Sequence, residues 1–492
     1  MKSGKNSAVL NSIAVFVFAA GCTVGPKYQR PSAPVPAKWD VPEPWRESAP
    51  KDGVPKGEWW GVFQDEELNA LEKQTLDANQ TIKVAVARLE QARASAALQI
   101  ATQFPTLFTA PGAQRQRVTT LHPTSSGSVA VGPVTVSNFT LPFQAGYEVD
   151  LFGRRRRSIE AAQASYQASA ADLENVRLVI TSELAGDYFT VRQLDTELGI
   201  LNHTVETLHK GLQLVDSRHK GGVASGLDVA QEETLLNTTR TQAILLEQQR
   251  KQFEDAIAVL VGKPAPDFHL PPRELNAEPP VLDAGLPSDL LERRPDIAEA
   301  ERQMAVANAQ IGIARAAYFP SLDLFANGGW QATQIAKLLN VQNTVWAVGA
   351  DAAEAIFTGG SRRAQTQFAK AGYEASVAGY RDTVLTAFGE VQDDVTGLVI
   401  LDQAFHSQEQ AVDAARRTLN ISTDRYTGGL VSYLDVVTAQ QTLLNNEQQL
   451  AVIRGQRLVT SVLLIKALGG GWDAPSLSAA HVKTKLKDVV AP

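Results

Sequence analysis

The side chains that perform most protein chemistry are few in this chain, and their spacing matches no catalytic or metal-binding pattern. Its 492 residues include seven histidines and one cysteine. The histidines lack metal-ligand spacing, and a single cysteine excludes an internal disulfide or a multi-cysteine metal site. The Gly-Gly pairs stand at predicted turns, not after strands as in phosphate-binding loops, and no nucleophile motif is present. We therefore predict that the protein is not an enzyme and holds no catalytic cofactor or metal.

The overall charge and composition narrow the class of partner. The net charge of -7 argues against bulk binding of nucleic acid. Charged residues make up 20% of the chain and aromatic residues 7%, while alanine and glutamine are abundant. This composition favours helices with small side chains at close contacts.

Cys22 is the residue whose surroundings predict a chemical modification. Two lysines precede a short apolar stretch, 8–20, and small residues follow it, which is typical of a secretory signal. The run Ala-Ala-Gly-Cys at 19–22 resembles a bacterial lipobox, with alanine where leucine is usual, in which the cysteine carries lipid. Thr23 follows in place of aspartate, which in such lipoproteins implies sorting to the outer membrane. An ordinary signal peptide with an incidental cysteine is the alternative.

Proline positions mark where long helices can form. Residues 23–58 carry eight prolines and are predicted to form an extended linker or belt. Prolines are absent from 59–104, 143–263 and 321–474. Because an interior proline costs a helix ~3 kcal/mol, these three tracts are the places for long helices. A helix from Arg154 to the next Gly-Gly pair would be about 100 Å long.

The chain also contains an internal duplication. The segments 218–228 and 425–435 share one pattern around a Gly-Gly pair and lie 207 positions apart. The same shift relates four further identical pairs, namely Tyr166 and Tyr373, Glu183 and Glu390, Asp195 and Asp402, and Gly262 and Gly469. We divide the chain into a signal peptide (1–21), a lipidated Pro-rich belt segment (22–58), a first repeat (59–270), an inter-repeat connection (271–290), a second repeat (291–470) and a C-terminal tail (471–492).

Two periodicities within the repeats predict coiled-coil helices and membrane strands. In the last helix, apolar residues recur every seven positions, at Val437, Leu444, Ala451, Leu458 and Ile465. Strands are predicted at about 106–119, 136–152, 320–332 and 343–357, the second with the clearest alternation and long enough to cross a bilayer. A soluble helical bundle with a small sheet is the alternative. Four strands cannot close a barrel in lipid, so three chains with about twelve strands would be needed to leave a lumen.

The order of these motifs resembles the TolC-like family of outer-membrane factors, in the NodT-type lipoprotein branch that serves tripartite RND efflux systems. The resemblance covers nearly the whole chain after Cys22. Its most specific part is the run Leu-Glu-Arg-Arg-Pro-Asp-Ile at 291–297, which leads to Phe319-Pro320. Further matches are 22–31, Trp59-Trp60-Gly-Val-Phe63, 87–93 and Tyr147–Arg154.

This resemblance implies a mainly α-helical fold with a membrane β-barrel portion. The implied assembly is a homotrimer, in which a 12-stranded β-barrel continues into a long α-helical coiled-coil barrel. It would lie in the outer membrane of a Gram-negative bacterium, held in lipid and by the covalent lipid on Cys22. Its implied partners are a periplasmic membrane-fusion adaptor and an inner-membrane RND-type pump, and its role is passive conduction of small molecules. A type I protein-secretion channel and a non-transporting coiled-coil scaffold stay open as alternatives.

The resemblance also places a periplasmic gate at the Gly-Gly turns. Asp228 and Asp435 match an acidic position near these turns, and Tyr426 stands where some members have a gating tyrosine. Val431 occupies a position that is charged in close relatives, so with Leu430 it predicts a partly hydrophobic constriction. The alternative role for the two aspartates is stabilisation of a helix N-terminus, worth ~0.3–1 kcal/mol.

A basic run, Arg154–Arg157, follows the best-patterned strand. It is predicted to lie at the membrane face, near anionic headgroups or belt carboxylates. An ordinary solvated helix start is the alternative.

Overall fold

Pairs of helices alternate with β-strands in the computed structural model, which describes residues 23–36, 57–118, 134–280 and 290–471. Cys22 lies outside the described residues. The helices are α1 (Glu66–Ala78), α2 (Gln80–Ala101), α3 (Arg154–Lys220), α4 (Gly226–Leu260), α5 (Leu290–Arg293), α6 (Pro295–Ala316), α7 (Ser361–Thr427) and α8 (Tyr433–Ala467). The strands are β1 (Thr106–Thr109), β2 (Gly112–Val118), β3 (Val134–Val149), β4 (Ser321–Ala332) and β5 (Thr344–Ala353). Within this described part, no helix combines the length and the apolar character that a membrane crossing requires.

The two halves contain helices of equal length. Helices α3 and α7 each have 67 residues, and α4 and α8 each have 35. Each long helix starts directly after a glycine in the left-handed region, Gly153 with φ 81° and Gly360 with φ 89°. Each ends at a Gly-Gly pair, so the prediction of a continuous helix from Arg154 to Gly221 is confirmed.

The strands form one antiparallel sheet that is four strand positions wide. Both β1 and β2 pair with β3, and β3 pairs in turn with β4 and β4 with β5. The first predicted strand, 106–119, is therefore two strands separated at Ala110-Pro111. The break lies opposite Pro142, which has no N–H to donate to a ladder. Across the sheet from Pro142 is Gly329, where a Cβ would collide with the Leu141 carbonyl.

Strand β4 ends at Ala332 as predicted, whereas β3 and β5 end earlier than predicted, for local reasons. Strand β5 ends at Ala353 instead of 357, because its partner β4 begins at Ser321, directly after Pro320. Strand β3 ends at Val149 instead of 152. The Asp150 carboxylate there accepts hydrogen bonds from the backbone N–H of Arg155 and Arg156 and so caps α3.

The main hydrophobic core lies near the middle of the long helices and joins both halves. Trp59, Trp60 and Phe63 form a 3₁₀ turn that packs against α3 residues such as Phe189. The predicted seven-residue recurrence in α8 lies largely on the buried face: Leu444, Ala451, Leu458 and Ile465 are buried and Val437 is half-buried.

The Leu291–Ile297 motif fastens α6 to the second half. The buried Arg294 guanidinium donates to the Glu390 carboxylate of α7 at 2.6 Å and to the Ala467 carbonyl of α8 at 3.1 Å. It also pairs with Asp296 at 2.6 Å. Residues of this motif therefore hold the start of α6 against α7 and α8.

Candidate functional site: the turn end of the helices

The turn end is the part of the molecule that contains the turns 221–225 and 428–432, at the opposite end of the long helices from the sheet. Both turns have the same hydrogen-bond pattern. The Val223 N–H donates to the Arg218 carbonyl at 2.9 Å, and the Leu430 N–H donates to the Arg425 carbonyl at 2.9 Å. These are Schellman caps, in which the second glycine, Gly222 or Gly429, adopts a positive φ. Glycine is required there because other residues are strained in that conformation.

The two turns lie side by side and share a small hydrophobic cluster. Val215 of α3 packs with Tyr433 and Val436 of α8, and Tyr426 of α7 lies against them. The rings of Tyr426 and Tyr433 are 4.8 Å apart between centroids, and the Arg218 guanidinium lies 5.0 Å from the Tyr426 ring. A cation over an aromatic face is favourable by about 0.5–1 kcal/mol at an exposed site. The cluster thus joins the turn of the first repeat to the turn of the second.

The two predicted gate aspartates lie at the starts of α4 and α8. Asp228 and Ser225 form a capping box at the start of α4, with bonds of 3.0 and 3.1 Å. Asp435 accepts a hydrogen bond of 2.7 Å from the Ser432 hydroxyl at the start of α8. Both aspartates lie in the first turn of a helix, as the alternative of N-terminal stabilisation requires, but only Asp228 caps its helix. Burial of Tyr426 raises the pKa of its hydroxyl. The Arg218 charge lowers that pKa, and the Asp228 charge raises it, so Asp228 also acts on the tyrosine pair.

Leu430 and Val431 occupy the outer surface of the second turn. Leu430 is 73% exposed and Val431 is half-buried in the single chain. The structure thus brings Tyr426 and Asp228 together, while Leu430 projects away from them. The sequence pattern did not reveal that Leu430 and Tyr426 face different surroundings, because these two residues lie only four positions apart.

Three residues at the turn end were not singled out by the sequence patterns. Arg218 opens the duplicated motif but contacts the other repeat, and Tyr433 is the first residue of α8. Glu232 of α4 is completely buried. Its spacing of four from Asp228 places both on one side of α4, which is the signal that could have drawn attention to it.

The basic run after β3 is paired with carboxylates. Arg154 and Arg155 bind Glu148, at 2.5 and 3.2 Å, and Arg156 binds Asp150 at 3.1 Å. The buried Arg157 donates to the backbone carbonyls of residues 24 and 25. The paired carboxylates Glu148 and Asp150 therefore lie at the end of β3, and not in the belt as predicted.

No described group of three or more His, Cys, Asp or Glu side chains is arranged to hold a metal ion.

Comparison with known proteins decides the family. The sequence profile of the outer membrane efflux proteins matches residues 71–263 and 286–470. The chain belongs to the outer membrane efflux protein family. Members of this family are channels, and the protein is an outer-membrane efflux channel component.

The chain is similar to named relatives and to a solved structure over nearly its whole length. The pyoverdine export outer membrane protein OpmQ of Pseudomonas aeruginosa is 35% identical over 445 residues, which cover 90% of this chain and 94% of OpmQ. The toluene efflux pump outer membrane protein TtgF of Pseudomonas putida is 32% identical and covers 94% of this chain and 96% of TtgF. The structure of the outer-membrane channel OprN superposes with a TM-score of 0.85 at 29% identity, covering 92% of this efflux protein and 100% of OprN.

Proposed function

We propose that three copies of this chain form one continuous duct through the outer membrane and into the periplasm, which conducts small molecules passively. The observation that carries the proposal is a sheet with two open edges, joined directly to helices of 67 residues. Helices of that length extend about 100 Å, far beyond a bilayer.

The open edges are the argument for assembly. Within one chain, β5 lies at one edge of the sheet and β1 and β2 lie at the other. Unpaired strand edges cannot lie in lipid, so each edge must pair with a neighbouring chain. Four strand positions per chain give about eight strands for two chains, a number that side chains fill, and about twelve for three chains, which leave a lumen.

The two gate hypotheses concern the turn end of this duct. In the first hypothesis, Leu430 and Val431 narrow the duct with a ring of apolar side chains. In the second, polar contacts of Tyr426, Asp228 and Asp435 keep the duct closed. Planar-bilayer recordings of Val431→Ala and Asp435→Ala separate the ring from the polar contacts, with Val341→Ala, an exposed valine between β4 and β5, as the matched control. We expect a larger closed-state leak than in the wild type for Val431→Ala and Asp435→Ala. The leak of Val341→Ala should equal that of the wild type. An unchanged leak in both would refute the gate assignment.

The cargo is proposed to be small organic molecules, delivered by a periplasmic adaptor and an inner-membrane RND-type pump. Support comes from the functions for which the relatives are named, export of pyoverdine for OpmQ and efflux of toluene for TtgF. A deletion strain should accumulate dyes and solvents and recover on complementation, while its secreted proteins stay unchanged. Loss of a secreted protein with normal dye efflux would favour the type I secretion alternative.

The lipid anchor and the division of the chain belong to the same proposal. Residues 1–21 would be removed, and the lipid on Cys22 would sit where the strands meet the helices. Supporting this position, Thr23 packs against Gly153 and the Val24 N–H donates to the Phe152 carbonyl at 3.1 Å. The belt segment (22–58), the repeats (59–270 and 291–470), the connection (271–290) and the tail (471–492) complete the proposed division.

A further inference from the structure

Glu232 is a buried carboxylic acid at the turn end with no ion-pair partner. It is 0% exposed, and among the described residues its carboxylate oxygens have no donor in hydrogen-bonding geometry, although the Tyr433 hydroxyl is near enough to favour the charged form. Its neighbours on the same face of α4 are Leu235 and Leu236, which pack against α3 in a hydrophobic cluster. An ionised carboxylate in such surroundings is costly, so the protonated form is favoured.

The space for this acid is provided by a glycine on another helix. A Cβ on Gly211 of α3 would overlap with Oε1 of Glu232 and would lie 3.6 Å from the Tyr433 hydroxyl oxygen. The carboxyl group and the phenol therefore share one small space between α3, α4 and α8. Tyr433 is itself 4% exposed, so water has little access to the pair.

The groups that face this space come from all four helices of the turn end. Helix α3 presents Gly211 and apolar side chains, and its Arg218 lies over the Tyr426 ring of α7. Tyr426 and Asp228 act electrostatically on Tyr433. Burial raises the pKa of Glu232 to about 7, and the Tyr433 hydroxyl opposes that rise.

We propose that Glu232 and Tyr433 form a proton-controlled latch that holds α4 of the first repeat against α8 of the second while Glu232 is protonated, and that loosens when the proton leaves. The latch rests on the proposed function, because the turn end regulates flow only if the chain is a duct. The predicted gate residues lie at the turns themselves, whereas this pair lies between the helices behind them.

The direction of the pH effect follows from the two states of the acid. In the packed state Glu232 binds its proton more tightly than in water, so the packing is fully stabilised below the ordinary pKa of 4.5. That stabilisation is lost as pH rises through about 7. Within this window the balance between packed and loosened turn ends shifts by up to about tenfold per pH unit.

The test uses the full-length assembly and three variants. Glu232→Gln keeps the shape of the protonated acid and cannot ionise. Glu233→Gln makes the same change at the next residue, which is exposed, and is the matched control. Tyr433→Phe removes the hydroxyl that opposes the pKa rise and keeps the ring against Tyr426.

Open probability in planar bilayers between pH 5 and pH 8 is the first readout. We expect it to rise with pH in the wild type and in Glu233→Gln, and to stay low and flat in Glu232→Gln. Tyr433→Phe should move the midpoint to higher pH. A Glu232→Gln variant that keeps the wild-type pH dependence would overturn the latch.

Infrared titration of the protonated carboxyl band is the second readout and needs no conduction. Other carboxyls with raised pKa values, such as Asp394 and Glu299, titrate in the same range. The difference between wild type and Glu232→Gln isolates the Glu232 band, which should disappear near pH 7. A band absent at pH 5.5 would refute the latch even in a conducting protein, while an intact band in a protein without conductance would refute only the duct.

Discussion

Asp195 and Asp402 occupy equivalent positions in the two repeats, and each pairs with arginine. Replacing each by alanine measures how much burial increases the contribution of such a pair to stability. Asp195 accepts hydrogen bonds from Arg192 at 2.8 Å, Arg250 at 2.6 Å and the Arg273 backbone N–H at 3.0 Å. Its side chain is 2% exposed. Asp402 pairs with one arginine at 2.7 Å, and its side chain is 50% exposed.

The expected magnitudes differ because Asp195 and its two arginines are buried, whereas the Asp402 side chain is half-exposed. Asp195→Ala removes the carboxylate that two buried guanidinium groups share. Arg192 keeps Glu67 at 2.6 Å and Arg250 keeps Glu254 at 3.0 Å, so the expected cost is the lower end of the range for a broken buried pair, about 3 kcal/mol. Asp402→Ala removes a half-exposed pair worth about 0–1 kcal/mol. Arg457, the arginine concerned, also keeps Glu278 at 3.3 Å.

Trypsin provides the assay, because the buried network holds a segment that contains a cleavage site. Arg192 and Arg250 bind the carbonyls of Pro271 and Leu270, and Arg273 is half-exposed in the same segment. Cleavage after Arg273 requires local opening of this segment, so its rate reports the opening equilibrium.

We expect Asp195→Ala to accelerate cleavage after Arg273 by about 100-fold or more and Asp402→Ala by about fivefold at most. Circular dichroism verifies that both variants keep their helix content. Equal acceleration in the two variants, or less than tenfold for Asp195→Ala, would refute the argument that burial sets the cost.

Three further predictions concern packing, the turn end and the anchor. Gly455→Ala should destabilise the protein by about 1–3 kcal/mol in thermal melts, because the new Cβ would lie 2.8 Å from the Gln193 Cβ. The control is Gly389→Ala, which has open space around the new Cβ and should increase stability by about 1 kcal/mol. Arg218→Ala should raise the closed-state leak about two- to fivefold by removing the cation over the ring, and an unchanged leak would contradict that role. Cys22→Ser should reduce membrane-assembled protein in fractionation without changing single-channel conductance, and an assembled protein that fails to conduct would contradict it.

The long helices and their ends followed from the sequence because their signals are local. Proline cannot lie inside a helix and glycine suits its C-terminal cap, so proline-free tracts ending in Gly-Gly predicted α3 and α7. The break between β1 and β2 was missed. The break at Ala110-Pro111 lies opposite Pro142, a residue about 30 positions away that meets it only through strand register.

The turn end shows the limit of sequence patterns more sharply. The aspartates and Tyr426 could be located from the duplicated motif, and the capping role of Asp228 was one of the alternatives. Glu232 looked like one of many acidic residues on a helix. Its burial is decided by Gly211, a residue of a different helix, and such a contact leaves no local signal.

Cysteine cross-linking between the two edges of the sheet tests the proposed closure most directly. Leu107→Cys in β1 is combined with a cysteine at each position of β5, 344–353, in turn. Within one chain these strands are separated by β3 and β4, about 14 Å, which is too far for a disulfide. We predict that at least one register gives covalently closed trimers under oxidation. Chains that stay monomeric in every register, or that stop at dimers, would contradict the account.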